Sequence, residues 1–253
     1  INMKKEGIDM EKILKNVFAG ILFVLISVGT AQAGGGEGTG EGKGIAGDSS
    51  SSLTFNVGFT TAYWYRGAFQ NDSSISFGAD YESGNFYLGT WWADVGESQL
   101  DDPSLEIDVY TGFGFDLFGV PSYLGVMGYY YTDNFDRDYE EVAFGMDFGV
   151  ASFDSVIYGD YKAGSGSASS DYGHFKLNVP LTDSFYGGSL GYSWQTFTGG
   201  SLHYATHELE YSAPALGGDV GLVIGHNNDG GAGATQNSDQ DTTYATLSIG
   251  YTF

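Results

Sequence analysis

The closing segment Thr243-Tyr-Ala-Thr-Leu-Ser-Ile-Gly-Tyr-Thr-Phe253 alternates without a break. Ala245, Leu247, Ile249, Tyr251 and Phe253 share one side, while Tyr244, Thr246, Ser248, Gly250 and Thr252 share the other. A period of two sends successive side chains to opposite faces of a strand. A run this long, greasy on one face and small or polar on the other, suits a membrane strand with lipid outside and a lumen inside. An ordinary soluble edge strand carries the same pattern on a smaller scale.

The pattern recurs upstream. Leu53 to Arg66 opens the series, with Leu53, Phe55, Val57, Phe59, Tyr63 and Tyr65 on the greasy face and Asn56, Gly58, Thr60 and Arg66 opposite. Further strands are predicted from Ser74, Phe86, Leu105, Tyr123, Val142, Phe153, Asp171, Phe185, Leu202, Val220 and Thr243. The even count and the segment length predict an all-β fold, a transmembrane antiparallel up-and-down β-barrel of about 12 strands. The connections support this, because polar and often long ones alternate with short turns. Pro121, Pro180 and Pro214 are assigned to those turns. A soluble sandwich would have to press the Tyr, Phe and Trp stripes against a second sheet.

Residues 1–33 do not fit the barrel. A basic stretch from Met10 to Lys15 precedes the apolar run Asn16 to Gly29, and Ala31-Gln-Ala33 follows with small residues. This is read as a signal peptide cleaved after Ala33, with Met3 and Met10 equally suited as starts. Residues 34–52 are Gly- and Ser-rich and read as a periplasmic linker, leaving 53–253 as the barrel.

The net charge is −23, and discarding the leader (four lysines against three acids) leaves the chain no less acidic. Nucleic-acid binding needs the opposite surface. With no cysteine, the chain has no disulfide, thiol nucleophile or thiolate metal site. Placing the charges on the polar phase puts Asp80, Glu106, Asp108, Glu141, Asp147, Asp160, Glu208 and Glu210 in the lumen, with Arg66, Lys162 and Lys176 as its cations. Charge facing lipid at the midplane would cost about 2–4 kcal/mol for Arg or Lys and somewhat less for Asp or Glu. Such an acidic interior predicts a porin passing small solutes with a preference for cations. The alternative is a closed or plugged barrel, acting as a structural protein, adhesin or receptor through its loops.

Nothing organised for catalysis emerges, so an enzyme is not expected. His203 and His207 fall on the lipid side, and no Gly-x-Ser-x-Gly elbow accompanies His174. The acidic loops Asp133 to Asp138 and Asn227 to Asp241 match no calcium-loop spacing, although a divalent ion bridging to lipopolysaccharide would find oxygens there. No cofactor or resident metal is expected, and nothing specifies an oligomeric state. The aromatics Tyr63 to Tyr65, Trp91, Trp92, Tyr129 to Tyr131, Tyr192 and Trp194 are read as membrane girdles.

The stretch Asn56 to Gln70, with Tyr63, Arg66, Gly67 and Gln70 in a Tyr-x-x-Arg-Gly-x-x-Gln pattern, resembles the opening of the TorF-type porin family, also called the Gcw_chp domain. Tyr81, Gly84, Phe86-Tyr87, Gly89, Trp91 and the closing Gly250-Tyr-Thr-Phe253 continue the similarity. Thr61-Ala62 stands where that family is expected to have Ser-Asp, so any role of that aspartate is not carried over to this chain. The resemblance implies an outer-membrane barrel of a Gram-negative bacterium acting as a porin. The terminal Phe253 with Tyr251 resembles the insertion signal of such barrels, which implies outer-membrane lipid and the barrel-assembly machinery as partners.

Overall fold

The computed structural model describes residues 51–97, 103–162, 170–199, 202–228 and 242–253. The leader, most of the linker and the acids between Asp229 and Asp241 lie outside the described residues. Twelve long antiparallel strands close into one barrel. They are β1 (Ser51–Thr60), β4 (Ser74–Ser83), β5 (Phe86–Glu97), β6 (Pro103–Leu117), β7 (Val120–Tyr131), β8 (Tyr139–Asp147), β9 (Ser152–Tyr161), β10 (Ser170–Phe185), β11 (Gly188–Gly199), β12 (Leu202–Ala215), β13 (Gly218–Asn227) and β14 (Thr242–Thr252). Two short strands, β2 (Tyr63–Tyr65) and β3 (Ala68–Asn71), form a separate hairpin between β1 and β4.

Closure is made by β1 on β14, with Val57 opposite Tyr251 and Thr60 opposite Ser248. Phe55 and Phe253 exchange backbone hydrogen bonds of 3.1 and 2.9 Å, so the terminal aromatic finishes the seam. A closed sheet leaves no edge of unpaired backbone groups. The alternating faces then separate. Leu53, Phe55, Phe77, Val109, Phe113, Leu124, Val126 and Leu247 are exposed on the outer wall. Buried inside are Ser76, Glu106, Asp108, Glu141, Lys176, Gln195 and Thr246. That is the inverse of a soluble protein, whose large apolar side chains are the buried ones.

Tyrosine and glycine are abundant for a shared reason. Tyr110 stands opposite Gly89, Tyr87 opposite Gly112, Tyr123 opposite Gly145, Tyr172 opposite Gly159 and Tyr244 opposite Gly225. In each pair the tyrosine fills the place where a Cβ on the glycine would stand. The rings thus lie along the inner wall over their glycines, the cross-strand packing by which aromatics cover glycine in sheets.

One end of the barrel, here the turn end, is joined by tight turns. Phe118-Gly119, Tyr186-Gly187 and Leu216-Gly217 all have positive φ at both residues, as a type I′ turn requires. These pairs make the turns. Pro121, Pro180 and Pro214 do not, because they lie inside β7, β10 and β12. The left-handed conformation is costly for a bulky residue, and Phe118 and Leu216 gain no burial for it, being 98% and 82% exposed. Leu216→Asn should therefore stabilise the barrel by about 1 kcal/mol. Denaturant unfolding in detergent or lipid would show the midpoint rising at unchanged slope.

Candidate functional site

The first predicted strand is too long. It breaks after Thr60, and the chain turns inward to build the β2–β3 hairpin. Thr61 N–H donates to the Leu247 carbonyl at 2.9 Å, while the Ala62 carbonyl accepts from the hydroxyls of Thr60 (3.0 Å) and Thr246 (3.2 Å). Satisfying backbone groups against the β1–β14 seam is what lets the chain leave the wall inside the lumen. Tyr63 and Tyr65, placed above on the lipid side, are inside instead, and Tyr63 is 0% exposed.

The motif Tyr63-x-x-Arg66-Gly67-x-x-Gln70 now has a geometry. Arg66 (φ 50) and Gly67 (φ 80) form the left-handed tip of a two-residue turn. At that tip Arg66 forks onto Glu141 of β8, Nη1 to Oε1 at 2.6 Å and Nη2 to Oε2 at 3.0 Å, with both side chains buried. Its guanidinium also lies 4.8 Å from the centroid of the Tyr65 ring. The bidentate fit is the strong form of this ion pair. On the far wall the Gly67 carbonyl accepts from Asn227 Nδ2 of β13 at 3.0 Å. A Cβ on Gly67 would overlap Thr206 of β12. β8 and β13 are nearly opposite in the strand order, so the hairpin crosses the lumen.

Phenols line the acids it meets. Tyr63 donates to Glu106 Oε2 at 2.7 Å and Tyr131 to Glu106 Oε1 at 3.1 Å. Tyr129 and Tyr172 donate to Glu141 at 3.2 and 2.6 Å. Beyond the hairpin, Tyr110 donates to Asp80 (2.6 Å), Tyr123 to Asp154 (2.7 Å), and Tyr244 to Glu208. Tyr63, Trp91, Ala93, Val95, Tyr110, Met127 and Tyr129 pack into a small core between hairpin and wall. Beside it a cavity of about 50 Å³ is bounded by Arg66, Tyr87, Tyr123, Glu141, Asp154 and His174.

The candidate lumen residues therefore divide. Arg66, Glu106, Asp108 and Glu141 lie under or in the hairpin and are buried. Asp80, Asp154, Glu208 and Glu210 are half-buried and line the lumen beside it. Glu210 faces Lys176 Nζ at 3.8 Å, and Ser193 and Gln195 hydrogen-bond Glu208. Asp147 keeps the inner phase, opposite Ser152 at the turn end, where it accepts from Gly149 N–H at 2.7 Å. Two assignments are corrected. A bulge at Ile157, between the pairs Ala143–Val156 and Val142–Tyr158, reverses the phase of β9 and sends Asp160 to the outer side beside Glu140. Lys162 follows it to the rim, where Asp160 (2.7 Å) and Glu140 (2.9 Å) hold its ammonium and raise its pKa.

The girdle assignment also splits. Tyr63, Trp64, Tyr65, Trp91, Tyr129 and Tyr131 belong to the interior, whereas Trp92, Tyr192 and Trp194 stay on the outer phase. On that outer phase His207 accepts or donates a 2.7 Å bond with Tyr192, and inside His174 pairs with Gln195 at 3.0 Å. The His203 side chain lies outside the described residues. Among the described residues no group of three His, Cys, Asp or Glu is placed to hold a metal ion.

Among curated proteins no significant match is found. Similar solved structures include the outer membrane protein opdK from Pseudomonas aeruginosa (13% identity, 72% of this chain and 58% of that one, TM-score 0.38). Another is OccAB2 from Acinetobacter baumannii (10% identity, 78% and 59%, TM-score 0.38). An anion-selective porin from Comamonas acidovorans matches at 11% identity over 81% of this chain and 100% of that one, TM-score 0.37. The chain thus spans under two thirds of the first two. The family described as bacterial proteins of unknown function, Gcw_chp, matches residues 45–204. The match takes in both the hairpin motif and most of the barrel wall, and the chain belongs to the Gcw_chp family.

Proposed function

We propose that the protein is an outer-membrane porin of the TorF type, admitting small solutes with a preference for cations past the hairpin that crosses its lumen. The observation that carries this is the two-faced wall. A continuous apolar exterior needs lipid, and an interior of half-buried Asp80, Asp154, Glu208 and Glu210 against Lys176 needs water or counterions. The tight turns would face the periplasm and the long connections the outside, next to lipopolysaccharide, after signal-peptide removal and insertion by the barrel-assembly machinery.

Planar-bilayer recordings in a salt gradient test this. Cation-selective steps are expected, and Asp154→Asn combined with Glu210→Gln should move the reversal potential toward zero without closing the channel. Anion preference in the parent protein would reject the charge filter.

The hairpin favours a second reading, a barrel closed at rest that acts through its loops. Liposome swelling separates the two, since a closed barrel gives none for any solute.

A further inference from the structure

Asp108 sits on β6 between Trp91 of β5 and Tyr129 of β7, directly beneath the hairpin. It is 0% exposed, and neither carboxylate oxygen has a hydrogen-bond partner. Every neighbouring acid differs. Glu106 accepts from Tyr63 and Tyr131, and Glu141 accepts from Tyr129, Tyr172 and Arg66.

The groups within electrostatic reach of Asp108 come from each element around it. They are Glu106 and Tyr110 on β6, Tyr129 and Tyr131 on β7, Glu141 on β8, and Tyr63 and Arg66 on the hairpin. The one cation among them is already forked onto Glu141, and the two other acids repel a charge on Asp108. An ionised carboxylate here would be buried, unpaired and unsolvated, an arrangement proteins avoid by neutralising the group or admitting water. Lifting the hairpin would admit water to it, against the ties that hold the hairpin to the wall: Arg66 on Glu141, the Gly67 carbonyl on Asn227, Tyr63 on Glu106 and Trp64 stacked on Tyr244.

We propose that the hairpin is a proton-sensitive gate and Asp108 its sensor: the hairpin docks over the neutral carboxyl and leaves the β6–β8 wall when that carboxyl ionises. The inference rests on the channel reading for its consequence, though not for the motion. By linkage, the docked state holds one proton that the lifted state releases. Docking therefore weakens up to tenfold per pH unit above the pKa of the hydrated carboxyl, until Asp108 ionises in place. The gate is shut in acid and opens as pH rises.

The full barrel tests this in two ways. The chain has no cysteine, so Ala68→Cys takes a single nitroxide label on the hairpin, and its mobility is read in lipid from about pH 4 to about pH 9, a range starting at the ordinary carboxyl pKa. Conductance is recorded over the same range. The label should be immobile in acid and mobile at high pH, with conductance rising in parallel. Asp108→Asn and Asp108→Leu should hold the label immobile and the conductance low throughout. A pH profile surviving in both variants, or a hairpin that loosens as pH falls, overturns the proposal. A label response that depends on Asp108 without conductance at any pH supports the hairpin motion and rejects the porin.

Discussion

Arg66→Ala should loosen the hairpin from the β6–β8 wall by about 3–5 kcal/mol, the usual cost of leaving one partner of a buried ion pair uncompensated. Glu141 is the partner left behind, with Tyr129 and Tyr172 still donating to it but its bidentate countercharge gone. In recordings the variant should show larger and noisier conductance than the parent, at the same sign of selectivity. The second change Glu141→Gln should recover part of the lost docking, because an amide can accept from the phenols without burying a charge. Arg66→Lys should fall between, since an ammonium cannot reproduce the fork. If Arg66→Ala conducts like the parent and the hairpin label stays immobile, the ion pair does not hold the hairpin.

This expectation depends on a feature that alternation could not reveal. From Leu53 to Tyr65 the every-other-residue rhythm nearly holds, so a single strand is the natural reading. What ends it is tertiary: Thr246, Leu247 and Thr60 offer hydrogen bonds to Thr61 and Ala62 that the wall would otherwise supply. The local sign was Arg66-Gly67. There a residue and the glycine after it, both at positive φ, make the tip between two strands, as Leu216-Gly217 does between β12 and β13. Asp160 was missed for a different reason. One inserted residue at Ile157 reverses every later face of β9, and a bulge leaves no mark in a sequence whose residues suit either face.

The barrel itself was legible because it rests on a cost applied many times over. A charge turned to lipid or a phenylalanine turned to water is penalised at each position, so Leu105 to Phe115 admits one phase only. Carboxylates that look alike in that phase separate only in three dimensions, where Glu106 becomes a hydrogen-bond anchor, Asp108 a buried group without a partner, and Glu210 a wall residue open to the lumen.

Gly225→Ala carries the same reasoning to the opposite wall. The Tyr244 ring occupies the space a Cβ on Gly225 would need. Elsewhere a tyrosine could swing away, but this one is held on three sides. Its hydroxyl donates to Glu208, its other face stacks on Trp64 of the hairpin with centroids 4.1 Å apart and planes 7° from parallel, and Gly225 forms the third side. The added methyl must therefore push Tyr244 into Trp64 or break its bond to Glu208. Overpacking of this kind costs about 1–3 kcal/mol. Because one wall of the sandwich is the hairpin, the strain should appear as loosened docking as well as a lower unfolding midpoint. Gly225→Ala should raise conductance in the same direction as Arg66→Ala. Adding Trp64→Ala, which gives the ring room to move, should restore much of the barrel stability while leaving the hairpin free. Gly191 supplies the control, since a Cβ there would meet only one atom, at ordinary contact distance. An alanine at Gly225 that behaves like one at Gly191 would show that the phenol–glycine pairs line the lumen without bracing the hairpin.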